Sequence, residues 1–203
     1  MAPNELDLDH LAIRAIVENW VIWRDSGDWE RFATVWHDDG WMSATWFQGP
    51  ARDFIAASRD AFARGVNILH VLGGWTCDLA GSRAISQTRM VIHQRAPLDG
   101  VLVDVTCTGR FYDFFEKRAG RWAIARRQPI YEKDRLDAVD PSVRLALDQD
   151  LLNRFPEGYR HLAYVQTKNG FTVKGELPGL RGAAIEKLYA EGRDWLRDAR
   201  PER

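Results

Sequence analysis

Apolar residues recur at helical spacing in three segments of the first third of the chain. Residues 8–24 contain no Gly or Pro and carry an apolar stripe, which predicts a helix. Asp28 is placed to cap a second helix, whose apolar stripe reaches Trp36. A third helix is predicted over residues 52–64, after a short strand at residues 41–47.

In the middle of the chain, the period of the apolar pattern changes to two residues, which is typical of strands. Asp99-Gly100 is a hairpin signal there, and the pair Gly73-Gly74 is interpreted as a bend or a bulge. Segments rich in Val, Ile, Thr and aromatic residues predict strands at residues 67–79, 83–95, 101–115 and 122–131. Helices followed by an antiparallel meander indicate the α+β class, with a curled sheet packed against helices.

The pattern changes again after residue 134. Residues 141–153 and 183–196 predict helices, and residues 161–173 predict two short strands around an Asn-Gly turn signal. This tail is too short and too apolar for an independent domain or a disordered linker. We therefore expect one domain at residues 1–134, with a helical and hairpin extension at residues 135–203 that packs on the domain or on a neighbouring subunit.

Composition narrows the classes of function. A chain of 203 residues that is 45% hydrophobic and 28% charged is typical of one globular unit. A formal net charge of −1 gives no reason to expect nucleic acid or an anionic membrane as a partner. No apolar run approaches the ~20 residues that span a bilayer, and the N-terminus lacks a signal-peptide core, so a cytoplasmic location is expected. Cys77 and Cys107 form neither a disulfide framework nor a zinc site.

The chain contains no GxGxxG, P-loop, GxSxG or HExxH motif, so the common nucleotide-binding and metalloprotease classes are not indicated. Few residues remain as candidates for chemistry. His70 lies in the apolar run NILHVLGG, where a hydrogen-bonded core histidine is the ordinary alternative. His93 lies in the alternating run MVIHQR, where a solvent-facing residue is the alternative. Asp25 falls close to Arg14 and Glu18 on a helical wheel, which is typical of a solvated stripe unless the helix has already ended.

Three segments, in this order, resemble the scytalone dehydratase-like branch of the NTF2-like (SnoaL-like) superfamily. RDSGDWERF is similar to the family's Asp-bearing helix end, HVLGG to its first histidine segment and IHQR to its second. The spacing of 23 residues between His70 and His93 also resembles the family's spacing. The resemblance covers residues 8–134 and does not explain the tail.

The resemblance implies a cone-shaped α+β barrel, in which helices wrap a curved antiparallel sheet around a deep pocket. Asp25 would orient and charge-stabilise His70, which would be the general base or acid. His93 would be a second acid or base, or a hydrogen-bond donor to the substrate. The implied activity is that of a cofactor-independent lyase, either a dehydratase or a retro-aldol-like C–C lyase, acting on an aromatic or polycyclic alcohol. Neither a metal nor an organic cofactor is implied.

The chain departs from the family pattern in two places. Arg24 stands where Tyr is common before the Asp, and the strand at residues 106–111 lacks the family's Ser and Asn pair. The substrate is therefore not expected to be scytalone itself.

Aromatic and cationic side chains are the candidates for substrate binding. The nine tryptophans suit either a core or a pocket for a flat ligand. Arg126 and Arg127 are adjacent on a predicted strand, so only one can face the pocket, and an exterior salt bridge is the alternative for the pair. The residues selected as substrate-binding are Trp20, Arg24, Trp46, Trp75, Arg127 and Tyr131.

Two other classes of function fit the same sequence. One is a double-bond isomerase or hydrolase on the same fold, and the other is a non-catalytic ligand-binding protein or oxygenase small subunit. In each case the expected partner is a small hydrophobic or aromatic molecule. A homodimer or homotrimer is also expected, because cone folds expose a sheet face and the apolar tail needs a surface to cover it.

Overall fold

Helices come first, strands dominate the middle, and short helices end the chain in the computed structural model, which describes residues 5–199. The leading elements are α1 Glu5–Ser26, α2 Trp29–Thr34, β1 Trp36–Ser43, β2 Gln48–Pro50 and α3 Ala51–Ala63. The long strands are β3 Asn67–Ala80, β4 Arg83–Leu98, β5 Val101–Arg118 and β6 Arg121–Ala138. The extension holds α4 Gln149–Leu152, a 3-10 turn at Glu157–Tyr159, α5 Arg160–Lys168 and α6 Ala183–Arg197.

The strands form one curved, unclosed sheet in the order β2-β1-β6-β5-β4-β3. Neighbouring strands are antiparallel except β1 and β6, which are parallel. The Asp99-Gly100 hairpin joins β4 to β5, and both turn residues have positive φ, at 49° and 86°. The register of β3 shifts between Leu72 and Trp75, which confirms a bulge at Gly73-Gly74. The predicted α+β class, with helices on a curved sheet, is therefore confirmed.

The two faces of the sheet are covered by different helices. On the inner face, Ile13, Val17 and Trp20 of α1 belong to the main core together with side chains of β4, β5 and β6. Their spacing of three and four residues keeps them on one side of the helix. On the outer face, Ile185 and Leu188 of α6 belong to a smaller cluster with Ile85, Tyr112, Phe114 and Ile130.

The end of α1 sets the position of the candidate acid. Gly27 has φ of 76°, and its N–H donates to the Arg24 carbonyl at 3.4 Å. The Asp28 N–H donates to the Trp23 carbonyl at 2.8 Å. These two bonds form a Schellman motif, in which Gly supplies the left-handed residue. The helix therefore continues through Ser26, and Asp25 lies in its last turn.

Three predicted elements are wrong. Residues 36–43 form strand β1, so the second helix ends at Thr34, before Trp36. The helix expected over residues 141–153 is reduced to the single turn α4. The two strands expected over residues 161–173 are replaced by helix α5, with Gly170 at φ of 84° just after its C-terminal end. An Asn-Gly pair supplies a residue with positive φ both in a hairpin turn and after the end of a helix. The apolar side chains of residues 161–166 (HLAYVQ) pack as a helix, so here the pair follows a helix.

The extension packs on β6 of the same chain. Asp134 accepts hydrogen bonds from His161 Nδ1 and from the Leu162 N–H, both at 2.8 Å, and so caps the start of α5. Gly158 passes so close to β6 that an added Cβ would lie 2.3 Å from the Tyr131 carbonyl oxygen. The Tyr131 N–H donates to the Pro178 carbonyl at 2.8 Å. These contacts bring α5 over the inner face of the sheet.

Candidate functional site

Asp25 and His70 meet at the inner face, between the last turn of α1 and strand β3. The Asp25 carboxylate lies 2.9 Å (Oδ1) and 3.1 Å (Oδ2) from His70 Nδ1, and it accepts the His70 backbone N–H at 2.6 Å. The side chains are only 10% and 7% exposed. The carboxylate thus holds both the backbone and the ring of His70, which fixes the direction in which the ring points.

Burial decides the charge of this histidine. Desolvation lowers the pKa of His70 below its ordinary value of 6.5, although hydrogen bonding and charge attraction from Asp25 oppose that shift. His70 is therefore neutral at pH 7. The Asp25 carboxylate accepts a hydrogen bond from the Nδ1–H, so the lone pair lies on Nε2. Within the described part of the chain, Nε2 has no hydrogen-bond partner.

Arg24 lies beside the same carboxylate. Its Nη1 donates to Asp25 Oδ1 at 3.2 Å, and the residue is only 6% exposed. Burial lowers the pKa of Arg24, while Asp25 opposes the shift, and a guanidinium keeps its charge in proteins. The cluster of Arg24, Asp25 and His70 thus holds one positive charge, one negative charge and a neutral base.

His70 opens onto an interior cavity of about 40 Å³. Apolar and aromatic side chains dominate the wall, with a few polar groups among them. The lining residues are Trp20, Arg24, Met42, Ala44, Thr45, Trp46, Phe54, Ile68, His70, Ile92, Gln94, Phe111, Pro129, Tyr131, Leu162 and Gln166.

Behind the cavity wall, a buried ion pair crosses from β5 to β6. Arg127 donates two hydrogen bonds to Asp113, each at 2.7 Å, and both side chains are 0% exposed. The guanidinium carbon lies 3.9 Å from the ring centroid of Phe111 and 4.3 Å from that of Trp20. Burial raises the pKa of Asp113, and Arg127 opposes this shift.

Four of the six residues selected as substrate-binding line the cavity: Trp20, Arg24, Trp46 and Tyr131. Trp75 lies elsewhere, where it packs edge-on against His10 and under the Arg14 guanidinium. Arg127 faces inward, as the parity argument allowed, but it is occupied by Asp113 behind Trp20 and Phe111. Its neighbour Arg126 faces outward and pairs with Glu191 at 2.6 Å.

His93 does not join the cluster. It is exposed on the outer face of β4, with Nδ1 3.3 Å from the Thr106 hydroxyl oxygen. Successive residues of a strand point to opposite faces of the sheet. The two neighbours of His93 therefore point inward: Ile92, which pairs with His70 on β3, and Gln94. The expectation that His93 lies inside the cone is therefore wrong.

Three polar cavity residues were missed in the sequence. Gln94 was visible on the opposite face of the MVIHQR run and could have been found by testing both phases of the alternation. Gln166 lies on α5, within the segment predicted as strands. Thr45 follows β1 in an irregular segment and had no signal of its own.

Neither cysteine is an activated thiol. Burial raises the pKa of Cys77 to about 12, and it also raises the pKa of the buried Cys107. Within residues 5–199, no group of three or more His, Cys, Asp or Glu side chains is arranged to hold a metal ion. No helix in that range combines the length and the apolar character needed to cross a membrane.

Helices on a curved sheet, with His70 of the Asp25–His70 pair lining an interior apolar cavity, define a pocket-bearing α+β protein. The family model of the SnoaL-like domain matches residues 7–128. The chain belongs to the SnoaL-like domain family, within the NTF2-like superfamily. A relative, pea pathogenicity protein 2 of Fusarium vanettenii, is 36% identical over 205 residues, which cover 96% of this chain and 88% of the relative.

Solved structures show the same fold at low sequence identity. A candidate scytalone dehydratase of Novosphingobium aromaticivorans superposes with a TM-score of 0.54 at 18% identity, covering 68% of this chain and 96% of that one. A hexachlorocyclohexane dehydrochlorinase, LinA type 2, superposes with a TM-score of 0.52 at 14% identity, covering 69% and 94%. At these identities the likeness concerns the fold alone.

Proposed function

We propose that the protein is a cofactor-independent lyase that acts on a small, largely apolar or aromatic substrate bound in the interior cavity. The observation that carries the proposal is the contact of His70 Nδ1 with Asp25, which leaves Nε2 as a free base at a cavity wall. A neutral, buried imidazole oriented by a carboxylate is suited to general base catalysis near pH 7.

The proposed step is the elimination of water from a β-hydroxy carbonyl compound. His70 Nε2 takes the proton from the carbon next to the carbonyl, and the C–H electron pair becomes the new C=C bond. The C–O bond to the hydroxyl group breaks, and the imidazolium returns its proton to the departing oxygen to give water. Asp25 stabilises the transient imidazolium, and His70 ends neutral as it began. Positioned proton transfer of this kind contributes roughly 10² to 10⁴-fold in rate.

Arg24 is assigned to the developing negative charge. It lines the cavity beside Asp25 and carries a positive charge into a poorly solvated site. Charge that develops on the substrate carbonyl oxygen is stabilised by a preorganised cation in such surroundings. Trp20, Trp46 and Tyr131 are assigned to the wall that holds a flat ring system.

Two structural neighbours support elimination over other chemistry on this fold. One is a candidate scytalone dehydratase and the other a hexachlorocyclohexane dehydrochlorinase, so both names describe the loss of a small molecule. Fold likeness does not by itself transfer an activity, and the inference therefore depends on the dyad.

The experiment is product analysis by mass spectrometry on a panel of monocyclic and bicyclic aromatic β-hydroxy ketones. A dehydratase yields a product lighter by one water, and a retro-aldol lyase yields two carbonyl fragments. Asp25→Asn and His70→Asn are expected to reduce turnover at least 100-fold while the fold persists. His93→Asn, on the outer face of the same sheet, is the matched control and is expected to keep wild-type turnover.

Other outcomes point to other functions. A product of unchanged mass indicates an isomerase, and binding without any product indicates a ligand-binding protein. Wild-type turnover in folded Asp25→Asn or His70→Asn protein contradicts the proposed mechanism.

A further inference from the structure

A second polar group of side chains lies at a different part of the cavity wall from the Asp25–His70 pair. Thr45 is 1% exposed, Gln94 is 3% exposed and Gln166 is 4% exposed, and all three line the cavity. Burying a neutral amide is unfavourable unless its polar atoms are hydrogen-bonded. Three such side chains in a mainly apolar wall therefore call for a reason beyond packing.

Hydrogen bonds run through this group in one direction. The Thr45 hydroxyl donates to Gln166 Oε1 at 2.6 Å. Gln166 Nε2 in turn donates to Gln94 Oε1 at 3.4 Å. In this order the amide oxygens of Gln166 and Gln94 are the acceptors, which leaves Gln94 Nε2 outside the hydrogen bonds of the group.

The chain of donors ends at the Gln94 amide. Among residues 5–199, Gln94 Nε2 has no hydrogen-bond partner, and Gln166 Nε2 uses one of its two hydrogens. The described lining contains no Asp or Glu that would accept these hydrogens, and Arg24 is its one permanently charged side chain. Unused N–H groups in a buried site are complementary to an oxygen acceptor without charge.

The strand register gives the distance between the two polar groups. On β4, Ile92 pairs with His70 of β3, and Gln94 pairs with Ile68. Gln94 is therefore one same-face step along the strand from the level of His70. That step is roughly 7 Å, about the span of a fused two-ring system from its reacting carbon to a distal substituent.

We infer that Gln94 and Gln166 form a recognition subsite for a neutral carbonyl oxygen carried by the substrate roughly 7 Å from the carbon that reacts at His70. The inference rests on the proposed function in taking this cavity as the substrate site. It narrows the substrate class to a bicyclic or polycyclic aromatic compound with a ring ketone at the end far from the reacting carbon. Because Gln166 lies on α5, the docked extension would contribute directly to specificity.

The test is calorimetric binding of two probes with one skeleton, α-tetralone and tetralin, which differ by a single carbonyl oxygen. Tetralin is the more hydrophobic, so an apolar cavity without the subsite favours tetralin. We expect the wild-type protein to bind α-tetralone tighter by on the order of tenfold, the factor that about 1.4 kcal/mol produces. Placing the protein in the syringe accommodates the low solubility of tetralin.

Gln94→Met keeps the shape of the side chain and removes its polar atoms, so the preference should fall to unity or reverse. Gln166→Met should also lower the preference for α-tetralone over tetralin. If Gln94→Met does not fold, the Gln166→Met variant alone tests the subsite. Gln149→Met, at an exposed position at the start of α4, is the control and should keep the wild-type ratio. Asp25→Asn and His70→Asn should also keep the ratio, because they leave the subsite intact.

The inference is overturned if wild-type protein binds neither probe or shows no preference for the ketone. It is also overturned if the folded Gln94 or Gln166 variant retains the full tenfold preference. Failure of the proposed function gives a different pattern, in which the ketone preference is present and depends on Gln94 but no substrate of the panel is turned over.

Discussion

Replacing Asp113 by Asn is expected to destabilise the protein by about 3–5 kcal/mol, because it leaves the Arg127 charge buried without a counter-ion. Both side chains are 0% exposed and are joined by two hydrogen bonds of 2.7 Å. The guanidinium is enclosed further by the rings of Phe111 and Trp20, so it cannot turn toward water. The substitution preserves the size of the side chain and therefore isolates the loss of charge.

The size of this effect makes it easy to measure. Domains are stable by roughly 5–15 kcal/mol, so the loss is a large fraction of the total. For a chain of 203 residues, each 1 kcal/mol shifts Tm by roughly 2–4 °C, so we expect Tm to fall by about 6–20 °C. Urea denaturation at pH 7 should show a lower midpoint with an unchanged slope.

Two further variants test the physical reason. The double variant Asp113→Leu, Arg127→Met removes both charges and should recover most of the lost stability. Asp104→Asn breaks the Arg95–Asp104 pair, which is also bidentate but has side chains 52% and 41% exposed. That control should have a far smaller effect, because solvent screens exposed pairs. A loss below about 1 kcal/mol for Asp113→Asn, or a double variant as unstable as the single one, would refute the reasoning.

The remaining predictions concern the site and the extension. Burial lowers the pKa of His70 below 6.5, so the base form of the ring persists at neutral pH. We therefore expect kcat/KM to be flat around pH 7 and to fall only below pH 6.5. A fall in kcat/KM with an apparent pKa at or above 6.5 contradicts this. The same shift means that the stability linked to the neutral ring is present above pH 6.5 and is lost as pH falls through the folded-state pKa. Asp134→Ala removes the cap of α5 and should destabilise the protein by about 1–3 kcal/mol. It should also speed hydrogen exchange of the α5 amides, and unchanged exchange would show that the cap is dispensable. Gly158→Ala places a Cβ 2.3 Å from the Tyr131 carbonyl oxygen and should lower the free energy of unfolding, measured in urea, by about 1–3 kcal/mol. The control Gly175→Ala has open space around it and should leave the stability unchanged. Equal effects of the two substitutions would argue against the close approach.

The regular parts of the fold could be predicted because each has a period and an end signal. The apolar stripe and the Gly27 stop predict α1, and alternation with Asp99-Gly100 predicts the hairpin of β4 and β5. Residues 161–173 could not be assigned from local signals, because an Asn-Gly pair fits a hairpin and a helix end equally well. Packing against β6 and the cap from Asp134 decide for the helix.

The site was only partly predictable for a related reason. A helical wheel groups Asp25 with Arg14 and Glu18 as a solvated stripe, yet β3 runs along that side of α1 and buries Asp25 against His70. Alternation in β4 identifies two faces but not which one is inner, so it does not show whether His93 or Gln94 points into the cavity. Both errors concern tertiary contacts, which local periodicity does not contain.

The role of His70 as the base is tested most directly by the protonation state of its ring. Nitrogen NMR at pH 7 measures this state, and the His70→Asn variant assigns the signal among the five histidines. We expect a neutral ring with the proton on Nδ1 facing Asp25, an unprotonated Nε2, and loss of this tautomer preference in Asp25→Asn. A ring that is positively charged at pH 7, or one that carries its proton on Nε2, would contradict His70 as the free base of the cavity.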